Sequence, residues 1–179
     1  MFKSLSFLLV SFMIGVVAIN AQDAGAQANA LISQLDKVKE KRKEKKDLVI
    51  ETYLEIKNTA ATRKPAELSG RYAEENGSYS LDLQVSGDGT ATGSGTDTLG
   101  VEARIAGFKL RDARVQGSLL TGTKVYDDGR TEPFEAAFVN RTVREGKTSA
   151  DAAVTSTAFG IGFIQKAQNW TSRVFLEKK

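Results

Sequence analysis

The stretch Gly77 to Gly95, GSYSLDLQVSGDGTATGSG, constrains what this chain can fold into more than any other. Tyr79, Leu81, Leu83 and Val85 alternate with Ser78, Ser80, Asp82 and Gln84, the period of a strand with one apolar and one wet face. Gly87-Asp88-Gly89 then supplies residues that tolerate the positive φ of a tight hairpin. The same plan recurs to the end of the chain. Strand-like segments are predicted at 68–74, 78–86, 90–94, 101–108, 110–116, 119–126, 133–143, 152–164 and 170–176, spaced by about eight to twelve residues as in all-β sandwiches and barrels.

Alternation is clear in several of them: Val101, Ala103 and Ile105 oppose Glu102 and Arg104, and Phe134, Ala136 and Phe138 oppose Glu135 and Ala137. Parity slips between Leu110 and Ala113, which predicts a bulge at Arg111-Asp112. Turn residues separate the segments at Glu75-Asn76-Gly77, Asp127-Asp128-Gly129 and Glu145-Gly146-Lys147. Closing such a set of strands removes their edges, so a mainly β fold is expected: an antiparallel β-barrel, or a sandwich, of about eight to nine strands. An outer-membrane barrel is disfavoured, because aromatics make up only 8% of the chain and the wet faces carry Asp82, Glu102, Arg104 and Glu135.

Upstream of the strands the pattern differs. Residues 1–21 have Lys3, an apolar run from Phe7 to Ala18 and a small residue at Ala21 before Gln22, the form of a secretory signal peptide. Export to a periplasmic or extracellular location is therefore expected, with a mature protein that is not an integral membrane protein. From Ala26 to Asn58 the steps Leu31, Leu35, Val38 and Val49, Tyr53, Ile56 are helical, and the interval lacks Gly and Pro. One long charged helix, or two with a hinge, is expected to precede the barrel. Pro65 marks the boundary between this helix and linker, 22–64, and a β domain over 65–179.

The net charge of +3 is local, since the chain from Leu48 to Lys179 holds as many acidic as basic residues. The excess comes from Lys37, Lys39, Lys41, Arg42, Lys43, Lys45 and Lys46, with Lys3. Those side chains suit an anionic envelope surface or a protein partner; the competing reading is a solvated helix steadied by its own ion pairs. A specific nucleic-acid partner is not expected.

With 179 residues there is room for one ordinary domain and an appendage. Neither Cys nor His occurs, which removes thiol chemistry, disulfides, imidazole bases and the usual transition-metal ligands. An enzyme would have to work with carboxylates, Lys, Tyr, Ser or Thr; spacing places no such pair, so no catalytic residue is assigned and no metal or cofactor is expected. The Gly87 to Gly100 cluster lacks the Gly-Lys-Ser/Thr ending of a phosphate loop and reads as turns. Asp127-Asp128 lacks the further oxygen ligands of a calcium loop and also reads as a turn. The sequons at Asn76, Asn140 and Asn169 matter only where secreted proteins are glycosylated.

Phe159, Ile161 and Phe163 share one strand face, with Gly160 and Gly162 on the other. Such a strand is either core or the wall of a cavity, and a barrel interior can be both. Tyr79, Leu81, Leu83, Phe134, Phe138, Phe159, Ile161 and Phe163 are the candidate ligand-binding residues on this reading.

At Leu68-Ser69-Gly70-Arg71-Tyr72 the chain resembles the Gly-x-Trp opening of lipocalins and related calycin barrels, with Tyr72 in place of Trp. Arg173 is similar to the late arginine that packs over that aromatic. The resemblance covers two short segments and the strand rhythm, and departs in lacking the disulfides and C-terminal helix common in lipocalins. It implies a carrier of small hydrophobic ligands. The expected function is thus an exported, non-catalytic binding protein whose barrel takes a small apolar or amphipathic ligand; the alternative is an envelope protein that docks through its basic segment.

Overall fold

A computed structural model describes residues 21–41, 52–75, 77–99, 104–167 and 170–179. Its elements are helix α1 (Ala21–Leu35), strands β1 (Lys37–Lys41) and β2 (Thr52–Ala60), a one-turn helix α2 (Pro65–Leu68), and strands β3 (Gly70–Ala73), β4 (Ser80–Val85), β5 (Thr90–Leu99), β6 (Arg104–Gln116), β7 (Leu119–Tyr126), β8 (Thr131–Gly146), β9 (Val154–Ala167) and β10 (Trp170–Lys178). The strands run antiparallel in the order β1-β2-β8-β7-β6-β5-β4-β3-β10-β9. A further pairing of β8 with β9 closes β3 to β10 into an eight-stranded barrel. Strand β8 is long enough to serve two neighbours on one edge. Its first half pairs with β7 and its second half with β2, which carries β1 outside the barrel.

The barrel forms because one parity of each strand is apolar. Leu81, Leu83 and Val85 point inward while Asp82 and Gln84 stay wet, as the opening stretch predicts. The hairpin to β5 turns at Gly89 with φ 82°, and Asp88 Oδ1 accepts from the Thr90 amide at 2.9 Å. The predicted bulge is present: Asp112 adopts φ 53° and the β6–β7 register skips between Arg111 and Arg114. The segments predicted at 101–108 and 110–116 are joined through Lys109 into one strand, whose described part is Arg104–Gln116. Ile105 was expected on the inner face; it is 58% exposed, and Ala106 and Phe108 take the inward side. Val101 and Ala103 lie outside the described residues.

Helix α1 packs on the outside of the wall. Ala24, Ala28, Leu31, Ile32 and Leu35 form its buried stripe. They meet Leu119, Ala137, Val139, Ile164 and Phe175 on outward positions of β7 to β10. Gly162 makes the seat, since a Cβ there would stand 2.4 Å from Leu35 Cδ1, and at Gly160 it would meet the Leu176 carbonyl and the Phe175 ring. The two glycines therefore open a trough on the outer wall, and the chain's own Leu35 and Phe175 fill it.

The helix is shorter than expected. It stops at Leu35, and of the residues read as its continuation Lys37–Lys41 and Thr52–Ala60 are strands β1 and β2. Asp36 fixes the corner, its Oδ1 accepting from the Asn58 amide at 2.7 Å and from Asn58 Nδ2 at 3.0 Å. Tertiary pairing with β8 outweighs a helical spacing carried by a few residues. The signal-peptide residues before Ala21 lie outside the described residues, as do Arg42, Lys43, Lys45, Lys46, Asn76 and Asn169. Among the described residues no helix is long and apolar enough to cross a membrane.

Candidate functional site at the barrel mouth

All eight candidate ligand-binding residues lie in the barrel interior, and there they pack against one another. Leu81, Leu83, Phe134, Phe138, Ile161 and Phe163 are buried in one core cluster, with Tyr79 and Phe159 packed against it. Near α2, Phe138 and Phe159 stack with centroids 6.3 Å apart, and Tyr72 meets both rings. Tyr72 donates to the Leu68 carbonyl at 2.5 Å, so α2 is tied across this end of the barrel. Arg63 covers it from outside, its guanidinium carbon 3.7 Å from the Phe159 centroid. A void of about 10 Å³ lies deeper, beside Tyr79, Leu81, Phe108 and Lys124. That is room for about one water, so these side chains act as core.

The opposite end, the mouth, carries charge. Lys124 and Asp97 occupy inward positions on β7 and β5, are 5% and 1% exposed, and form an ion pair at 2.5 Å. The Lys124 ammonium sits 4.9, 4.8 and 4.9 Å from the ring centroids of Phe108, Phe134 and Phe163, a three-walled aromatic cage. Asp97 Oδ1 accepts from Gln165 Nε2 at 2.9 Å. The Tyr126 hydroxyl lies 2.9 Å from Asp97 Oδ2 and 3.0 Å from Glu132 Oε2, so its one proton serves one carboxylate at a time. Burial, and next the Asp97 carboxylate, push the Tyr126 hydroxyl well above the usual tyrosine range. Burial also raises Tyr79, with Asp97 and Glu74 adding to it.

A cleft of about 530 Å³ opens onto this cluster. It exists because β8 and β9 pair only from Ala136↔Phe163 onward, while the first part of β8 follows β7 and the last part of β9 follows β10. Leu31 and Gln34 of α1 form one wall. Phe134, Phe163 and Ile164 give the cleft apolar surface, and Lys124, Glu132 and Gln165 give it polar groups. Gln165 Oε1 is buried without a hydrogen-bond partner, which leaves an acceptor at the cleft for a donor from elsewhere. Among the described residues no group of carboxylates is placed to hold a metal ion.

Asp97, Lys124, Tyr126 and Gln165 were not among the sequence candidates. Parity held the signal. Ala91, Gly93, Gly95 and Asp97 share the inward parity of β5, as Leu120, Gly122, Lys124 and Tyr126 share that of β7. One acid and one base thus fall on core positions of two strands. Of the basic residues, Lys37 and Lys39 are exposed on β1, and Lys41 shares their parity. The lipocalin-type arginine contact is not made by Arg173, which lies on the outer wall and donates from Nε to the Gln34 carbonyl of α1. No family model, curated protein or solved structure matches the chain.

Proposed function

We propose that this is an exported, non-catalytic binding protein that takes a small amphipathic ligand in the cleft at the barrel mouth. The observation that carries this reading is the 530 Å³ opening between the diverging ends of β8 and β9, apolar along Phe134, Phe163 and Ile164 and polar at Lys124 and Gln165. Its size falls within the range of about 300–1,000 Å³ usual for small-molecule sites. The filled core beneath it moves the expected seat from the barrel interior to the mouth. A buried ion pair adds support, since apolar residues of similar volume commonly serve stability as well or better.

Tryptophan at the exposed lip positions, Glu135→Trp and Lys166→Trp, tests it without touching the core. A fluorescent fatty-acid analogue should bind the wild type saturably, and both variants should bind at least about tenfold more weakly with an unchanged Tm. Equal binding by the variants, or no saturable binding by the wild type, overturns the reading. A second reading rests on a separate observation: Lys37 and Lys39 are exposed on β1, which among the described residues pairs only with β2. That strand suits an anionic envelope surface. Lys39→Glu with Lys41→Glu should then abolish salt-sensitive association with anionic vesicles.

A further inference from the structure

The outer wall of the barrel, on the far side of the α1 C-terminus from the mouth, holds a second cleft of about 300 Å³. Lys37 of β1, Arg141 of β8 and Arg173 of β10 all line it, with Asn58, Thr171 and Ser172 as neutral polar neighbours, and no carboxylate is among its described lining residues. Two of its features are fixed by the fold. Register puts Arg141 and Arg173 on outward positions two strands apart, with β9 between them. The register sets them diagonally, Arg141 opposite Ala158 and Arg173 opposite Ile164, and between them on β9 lie Gly160 and Gly162, over which Phe175 and Leu35 pack.

Arg141 is the centre of this arrangement. It is half-buried, with its guanidinium carbon 4.7 Å from the Phe175 ring centroid. Its Nε is buried with no hydrogen-bond partner. A desolvated guanidinium with an unused donor is costly unless an acceptor completes it, and burial lowers its affinity for its proton. Asp36 Oδ1 accepts from Asn58, and Glu74, whose carboxylate acts on Arg141 electrostatically and whose Oε2 is itself buried without a hydrogen-bond partner, lines with Glu75 and Glu177 an adjoining groove of about 610 Å³ that Arg141 and Arg173 also line. The acidic side of Arg141 repels an anion and the Lys37 side attracts it.

We infer that this cleft binds a phosphate group, with Arg141 as its principal ligand and Lys37 and Arg173 as flanking cations. Three cations lining one cleft, with no carboxylate among its described lining residues, suit the charge of a phosphate dianion, and a guanidinium offers its donors in the planar fork that phosphate oxygens fit. Arg173 spends Nε on the Gln34 carbonyl, so its terminal nitrogens remain to face the anion. The phosphate can be free or carried by a lipid head group; both present the same oxygens.

The full chain is titrated with inorganic phosphate against chloride at matched ionic strength, and with phosphatidylglycerol and phosphatidylcholine vesicles. Wild type should bind phosphate saturably with a rise in Tm. Arg141→Gln should weaken binding at least tenfold, Arg141→Lys should retain part of it, and Lys57→Gln, an exposed cation on the opposite face of β2, should leave it unchanged. Should Arg141→Gln fail to fold, Arg173→Gln at an exposed position should give a several-fold loss. Arg141-dependent association with phosphatidylglycerol vesicles assigns the phosphate to a lipid; phosphate binding without vesicle association assigns it to a soluble phosphoryl compound. Absence of both, or an equal loss in Lys57→Gln, overturns the site.

Discussion

Both ends of this barrel place a cation on phenylalanine, and they do so in opposite ways. At the α2 end the exposed Arg63 covers Phe159 from outside, over a core with no buried charge among the described residues. At the mouth Lys124 reaches its three rings from within, where water is excluded, and requires Asp97 to balance it. The first arrangement is an apolar plug with a solvated lid. The second leaves two ions in a low-dielectric site, where the desolvation of each offsets most of their attraction. A chain needing only a closed barrel could have used the first solution twice; the contrast is one ground for proposing the ligand site at the mouth.

The largest test of that contrast is Lys124→Met. It should leave Asp97 buried without its counter-ion and cost about 3–5 kcal/mol in urea unfolding, while Asp97→Asn combined with Lys124→Met should recover most of the loss. A double variant no more stable than the single one would break the comparison. Next is Tyr126→Phe, which removes a hydrogen bond to a buried carboxylate and should cost about 1.5–3 kcal/mol at neutral pH.

The same variant sharpens the pH dependence. Tyr72, Tyr79 and Tyr126 are all raised from 10.0 in the fold, chiefly by burial. Their contribution is therefore complete below the unfolded value and falls as pH climbs from there towards the folded values, where the unfolded chain has given up protons that the folded one keeps. Wild-type stability should decline above about pH 10, and removing Tyr126 should make that decline shallower by up to about 1.4 kcal/mol per pH unit. An unchanged slope in alkaline unfolding would show that Tyr126 ionises freely. The smallest effect belongs to the other end: Arg63→Gln should cost about 0.5–1 kcal/mol, as expected for a cation–π contact in water.

Much of the barrel was legible because its strands obey one period. Leu81, Leu83, Phe134, Phe138, Ile161 and Phe163 could be placed inward from alternation alone, and the Arg111-Asp112 bulge showed as a slip of parity. The strand pair β1 and β2 was not legible as such. Lys37 to Lys41 and Thr52 to Ala60 also alternate, but helical steps at Leu31, Leu35 and Val38 run into them, and only the second half of β8 offers the partner that decides between the two. The mouth cluster was half visible. An acid at an inward position of β5 and a base at one of β7 can be read from parity, but β6 lies between those strands, and nothing local tells that Lys124 reaches past Phe108 to Asp97.

By itself, then, the sequence determined which residues of most strands face inward, Ile105 excepted, where the hairpins turn, and that neither thiol nor imidazole chemistry is available, because those properties depend on composition and on neighbours along the chain. Tertiary structure decided the rest. Whether the interior was hollow or filled depended on how side chains from eight strands divide one volume. Where α1 would lie depended on Gly160 and Gly162 clearing a trough on the outer wall. The two clefts arise where strands part company or where a glycine strand lies between two arginines. Such features belong to pairs of strands distant in the chain, and no local pattern encodes them.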